Sequence, residues 1–210
     1  DSDTRAEEDR DSDTRAEEAP ADDVKGPKLD FGAAGELYKK QRYAEALAAY
    51  RRLAAEDYDA QAQFNVAVML KIGQGTPQDY VESYKWGVLS ELAGERKAIR
   101  FLENLSDLLT KTGMKNAFTD AKNYLEEKIY SGHRDSMLRL ADLHLRYKEE
   151  PDNEVAMLWR ILATALNIKN ARKLRDELLP EFSEEEIQKI QKKARKTFDD
   201  VKFKKIYSQK

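Results

Sequence analysis

The stretch AQFNVAVMLKIGQGTPQDYVESYKWGVLSELAGERKA, residues 62–98, holds two amphipathic segments and the break between them. In the first segment Ala62, Val66, Ala67, Met69 and Leu70 fall on one face at helical spacing, which predicts a helix near 60–72. Gly73-Gln74-Gly75-Thr76-Pro77 follows, two glycines and a proline where the chain has to reverse direction. A second helix is predicted near 79–93, with Trp86 at its middle. Neither helix can bury its apolar face alone, so the pair needs neighbours of the same kind.

Those neighbours are found by aligning the chain on its aromatic residues. Tyr50, Trp86, Tyr124 and Trp159 are 36, 38 and 35 positions apart. Three residues before each stand Leu47, Ser83, Ala121 and Ala156, and four after stand Ala54, Ser90, Lys128 and Ala163. Eight after come Tyr58, Gly94, Gly132 and Asn167, a position read as the end of a helix, where small or left-handed-tolerant residues are favoured. Twelve after come Ala62, Ala98, Ser136 and Ala171, small enough to let the next helix pack closely. Several offsets held through four copies define a repeat array of two helices per period, an α-solenoid with a thin continuous core. From Phe31 onward the composition agrees: alanine, leucine, lysine, glutamate and arginine dominate, and Pro77, Pro151 and Pro180 are the prolines that interrupt. The aromatic stripe is read as core.

Residues 62–98 resemble the Sel1-like repeat, a relative of the tetratricopeptide repeat. The likeness rests on the small residue Ala62, the pair Val66-Ala67, the Gly73-Gln74-Gly75 step, Asp79, Trp86 and the closing Gly94. The copy GHRDSMLRLADLHLRYKEEPDNEVAMLWRILATALN at 132–167 keeps Gly132, His133, Leu140-Ala141 and Trp159 without the second glycine step. GELYKKQRYAEALAAYRRLAAEDY at 35–58 is closer to a tetratricopeptide repeat, and the third copy is degenerate. LRDELLPEFSEEEIQKIQKKARKTF at 174–198 resembles the closing helices that cap such arrays, with Ser183 and Glu186 in a capping-box pattern. The resemblance implies an all-α, right-handed α-solenoid of helical hairpins with a C-terminal capping helix over residues 30–198. It further implies a non-enzymatic protein–protein interaction scaffold or accessory subunit of a larger complex, often in a bacterial envelope. Some members of the family carry a disulfide in each repeat; this chain has no cysteine, so its stability has to come from packing.

Charge divides the 210 residues into three parts. Residues 1–30 carry twelve acids and five bases, a net of −7, and the remainder therefore carries +4. The octamer DSDTRAEE stands at 1–8 and again at 11–18, and Val24 and Leu29 are the large apolar residues before Phe31. Residues 1–29 are accordingly read as a disordered acidic linker, too poor in apolar surface to offset its backbone entropy. The start at Asp1 is read as that of a processed chain, with a removed signal peptide and a periplasmic or cell-envelope location expected, the cytoplasm being the alternative. No apolar run approaches the roughly 20 residues that span a bilayer, so membrane association would pass through a partner.

The chemistry-bearing residues are few. His133 and His144 are the two histidines, placed eleven apart on one predicted helix over 133–147, too far along its axis to share a metal. Acid pairs such as Glu126-Glu127 and Glu149-Glu150 are neighbours that diverge around a helix, and Gly73-Gln74-Gly75 lacks the pattern of a phosphate loop. Neither a catalytic role nor a cofactor or metal is assigned to any residue. The basic segment Lys189, Lys192, Lys193, Arg195 and Lys196 reads as the wet face of a capping helix whose other face is Ile187, Ile190 and Ala194, so nucleic acid is not the expected partner. The expected partner is another protein or multiprotein complex. Tyr38, Arg42, Lys71, Gln74, Tyr80 and Tyr84 are the candidate contacts on the solenoid, because Tyr and Arg are favoured at interfaces. Residues 199–210 form a basic and apolar tail in which Phe203, Ile206 and Tyr207 either fold back on the last helix or bind a partner. The alternative reading is a small-ligand or glycan-binding protein, or a weak hydrolase, with its site in the groove of the solenoid.

Overall fold

A computed structural model describes residues 30–56 and 58–207. The acidic segment 1–29 lies outside the described residues. Regular structure among those described is entirely helical: α1 (Phe31–Lys39), α2 (Tyr43–Glu56), α3 (Ala60–Ile72), α4 (Tyr80–Leu92), α5 (Lys97–Ser106), α6 (Lys111–Tyr130), α7 (Ser136–Arg146), α8 (Asn153–Ala165), α9 (Ala171–Leu178), a 3-10 turn (Leu179–Glu181), α10 (Glu184–Phe198) and α11 (Val201–Tyr207). Helices adjacent in sequence pack on one another from α1 through α5 and again from α6 through α9, which makes an all-α solenoid. The third hairpin departs from the rule: α5 packs on α4, while α6 packs on α4 and α7.

The repeat offsets explain why the helices stack this way. Tyr50, Trp86, Tyr124 and Trp159 lie on α2, α4, α6 and α8, the second helix of each hairpin. Three of the four rings are buried. Tyr124, half-buried in the degenerate copy, meets the edge of Trp86 at 5.5 Å and donates its hydroxyl proton to the Ala54 carbonyl at 3.2 Å. The residues twelve beyond, Ala62, Ala98, Ser136 and Ala171, have no exposed surface, as small residues at a close helix contact should. The residues eight beyond all take positive φ, +54° at Tyr58, +104° at Gly94, +99° at Gly132 and +54° at Asn167. Each second helix therefore ends through one left-handed residue that turns the chain into the next hairpin. Within the second hairpin the Ser83 and Ser90 hydroxyls each donate to carbonyls of α3, Ala67 and Ala60, at 2.7 Å.

Caps fix the helix starts. Asp59, Asp79 and Asp152 accept from the backbone N–H of Ala62, Glu82 and Val155 at 2.7, 2.8 and 3.1 Å. The aspartate of the repeat pattern, Asp79, is thus the N-cap of α4. The capping box of Ser183 and Glu186 is formed at the start of α10. Gly75, at φ +80°, lies so close to the start of α2 that a Cβ on it would stand 2.5 Å from the Tyr43 carbonyl oxygen. The glycine step of the repeat therefore seats the loop between α3 and α4 on the preceding hairpin.

One expectation is corrected: the helix read over 133–147 begins at Ser136, and His133 stands in the turn before it, after Gly132 has broken the helical path. Of the two alternatives for the tail beyond 198, the structure shows the first: it folds back, on α10 and on α6. In α11 Phe203 is buried between Phe198 of α10 and Tyr130 of α6, with ring centroids 5.9 and 6.4 Å away. The Tyr207 hydroxyl donates to the Ile129 carbonyl of α6.

Candidate functional site

The residues expected to meet a partner do not assemble into one surface. Tyr38 donates its hydroxyl proton to Gln74 Oε1 at 2.7 Å, so these two half-buried residues join the first hairpin to the second. Arg42 is exposed and its Nε donates to Glu45 at 2.6 Å. Lys71 lies over the Phe101 ring, 5.2 Å from its centroid, on the side toward α5. Tyr80 and Tyr84 are half-buried on α4, and burial pushes the Tyr84 phenol above its ordinary pKa. Phe203 and Tyr207 are buried in the chain's own packing, and Ile206 is half-buried near Gly132.

The histidines have structural surroundings. His133 stacks on Tyr58, ring centroids 3.4 Å apart, and its Nδ1 shares a hydrogen bond with Ser136 Oγ at 2.9 Å. That stack ties the left-handed junction after α2 to the one after α6. His144 is buried with its ring edge-on to Phe118 at 5.3 Å, and its Nδ1 lies 4.0 Å from Asp152. Burial lowers the pKa of both imidazoles. Among the described residues no three His, Asp or Glu side chains are grouped to hold a metal ion.

The surface that stands out was not singled out from the sequence. The 20-residue α6 outruns the 11-residue α7 packed against it. The first two turns of α6 therefore carry the apolar stripe past the end of α7. A groove of about 570 Å³ opens there, lined by Lys111, Met114, Lys115, Phe118 and Thr119 of α6 and by Tyr147, Lys148, Glu149 and Glu150 after α7. Its floor is Met114, Phe118 and Tyr147, all half-buried. The Tyr147 hydroxyl donates to Glu91 at 2.9 Å and Arg146 donates to the same carboxylate at 2.6 Å, so one wall is fixed to α4. Burial, reinforced by the Glu91 charge and hydrogen bond, holds the Tyr147 phenol protonated well above its ordinary range. Across the mouth, Lys111 and Glu149 form an exposed ion pair of 3.3 Å. An apolar floor ringed by charges of both signs has the anatomy of a protein contact rather than of a cleft with converging acids.

No protein-family model matches the chain, and no curated protein matches it. Among solved structures it is similar to a protective antigen present in uropathogenic Escherichia coli strains and displaying an SLR fold, at 14% identity and a TM-score of 0.36. The match covers 86% of this chain and 48% of that one, so the chain spans about half the length of the protein it is matched to. The helical-repeat fold described above rests on the chain's own packing and on the offsets that its four copies share.

Proposed function

We propose that this chain is a non-enzymatic scaffold or accessory subunit of the Sel1-like kind, and that the groove beside α6 and α7 holds a protein partner. The observation that carries the reading is the open apolar floor of Met114, Phe118 and Tyr147, left uncovered because α6 is longer than α7. Partners of such a floor present a bulky apolar side chain flanked by polar groups, since the centre of an interface is apolar and its rim charged. The mixed-sign rim of Lys111, Lys115, Lys148, Glu149 and Glu150 would select for register rather than for net charge.

Amine-directed cross-linking in the native cells, read by mass spectrometry, tests this. One dominant partner joined to Lys111, Lys115 or Lys148 is expected, and it should be lost in Met114→Glu while the melting temperature is kept. No partner above background, or one indifferent to Met114→Glu, overturns the reading.

A further inference from the structure

A second groove lies at the C-terminal end of the solenoid, between α8 and α10. It encloses about 660 Å³ and is lined by Ile161, Leu162 and Ala165 of α8 and by Gln191, Lys192, Ala194, Arg195 and Phe198 of α10, with Asp199 at its end. The two helices touch through α10's buried residues, Ile190 and Ala194, and the groove opens alongside that contact. In an unbroken array the next hairpin would fill this space. Here α11 turns back to α6 instead, as the placement of Phe203 and Tyr207 shows.

The rim has one sign. Residues 187–198 contain five bases and no acid. Lys189 is paired with Glu185 at 3.0 Å and Lys193 with Glu154, both within the chain. Lys192, Arg195 and Lys196 have no carboxylate partner among the described residues. They border the groove or the shallow concavity of about 560 Å³ that continues it over the outer face of α10. The one acid at the site, Asp199, is already paired with Lys204 at 3.0 Å.

We propose that this groove docks an acidic amphipathic segment of a partner protein. Apolar side chains at helical spacing would rest on Ile161, Ala165 and Phe198, and carboxylates would meet Lys192, Arg195 and Lys196. The floor is what decides against nucleic acid: aliphatic carbons offer nothing to phosphates, whereas a helix-in-groove contact needs them. The basic rim supplies charge complementarity and a fast, salt-dependent encounter. The proposal deepens the scaffold reading by adding a second surface with its own partner chemistry. Its test uses direct binding at α8 and α10, so it fails or succeeds apart from the cross-linking at α6.

The probe is a fluorescent 18-residue peptide with Leu at positions i, i+3, i+4 and i+7 and Glu on the remaining face, titrated against the full chain and followed by anisotropy. Saturable binding is expected, at least tenfold tighter than that of a peptide with the same residues in scrambled order. Lys192→Glu with Arg195→Glu should weaken it at least tenfold; both side chains are exposed, and an unchanged thermal melt shows the fold intact. Ala165→Trp, which fills the groove without altering charge, should weaken it comparably. Equal binding of the scrambled peptide or of polyglutamate overturns the proposal, because charge alone would then suffice. A single-stranded oligonucleotide binding more tightly, with the same sensitivity to charge reversal, overturns it as well. So do carbodiimide cross-links that join Lys192 or Lys196 to the chain's own residues 1–29, since the groove would then serve an internal segment.

Discussion

Replacing Gly75 by alanine tests whether the loop between α3 and α4 is seated on the first hairpin as the structure describes. Two costs arise at this position. The backbone sits at φ +80°, which an L side chain rarely adopts, and the left-handed conformation costs about 1–2 kcal/mol. The new Cβ would also stand 2.5 Å from the Tyr43 carbonyl oxygen, 2.7 Å from its carbon and 2.9 Å from the Ala44 nitrogen. These are backbone atoms at the start of α2, with no side chain to swing aside, so loop and helix have to separate by about 1 Å to reach ordinary contact. Overpacking of that kind adds about 1–3 kcal/mol, for a total of about 2–5 kcal/mol. Gly94→Ala is the matched control: φ there is +104°, and nothing lies within 4 Å of the added carbon, so the conformational cost stands alone. Urea unfolding of both variants, followed by far-ultraviolet circular dichroism, gives the difference. With a slope of about 2 kcal/mol per molar urea, Gly75→Ala should have its midpoint about 1 M below that of Gly94→Ala. Equal midpoints would mean that the loop does not press on α2, and the account of the glycine step would fail.

Two further outcomes are expected. Arg160 is buried on α8, with Nη1 donating to the Leu174 carbonyl at 2.7 Å and Nη2 to Asp142 at 3.1 Å, which ties α7 and α9 to α8. Arg160→Ala should cost about 1–3 kcal/mol in urea unfolding, since it removes both hydrogen bonds of a buried guanidinium while Asp142, about a third exposed at 34%, can turn to water; no measurable loss would show the tie to be ornamental. Burial holds His144 below the ordinary imidazole pKa; Asp152 and Glu126 oppose that shift, and Lys148 and Lys122 reinforce it. The unfolded chain then takes up its proton near pH 6.5 and the folded one only below that, so stability is full above pH 6.5 and falls as the pH drops from there. Unfolding midpoints at pH 7.5, 6.5 and 5.5 should fall less steeply in His144→Gln; His133, shifted in the same direction, accounts for part of the slope that remains.

The parts of the fold legible in sequence were those fixed by local chemistry and by the repeat. The helix expected near 60–72 is α3, and the one near 79–93 is α4, because periodicity, the glycine break and Asp79 all act over a few residues. The small residues twelve beyond each anchor are buried, in keeping with their reading as sites of close helix packing. What was not legible depended on which residues meet across space. Tyr38 and Gln74 have the residue types of an interface, yet they lie one repeat apart and satisfy each other. For Phe203 and Tyr207 folding back and partner binding both stay open in the sequence, because nothing there reveals that α6 has room for them. The groove beside α6 needed the lengths of two helices and their overlap, and the degenerate third copy obscured both.

The two open grooves share an origin. In a strict repeat each helix is covered along its length by the next, so an ideal array leaves apolar surface only at its ends. This chain departs from its period in the third copy, where the anchors Trp86 and Tyr124 stand 38 apart, and there α6 lengthens to 20 residues and loses its pairing with α5. The overhang of α6 is the floor of the first groove. At the other end of the described residues α10 lies beside α8 while α11 turns back to α6, and the second groove opens there. Exposed apolar patches favour association, and Met114 and Phe118 on α6, with Ile161 on α8 and Phe198 on α10, are half-buried apolar residues that line these grooves. On the two readings proposed above, these irregular places are where partner proteins dock, and the regular stretches between them would hold the two surfaces at a fixed separation.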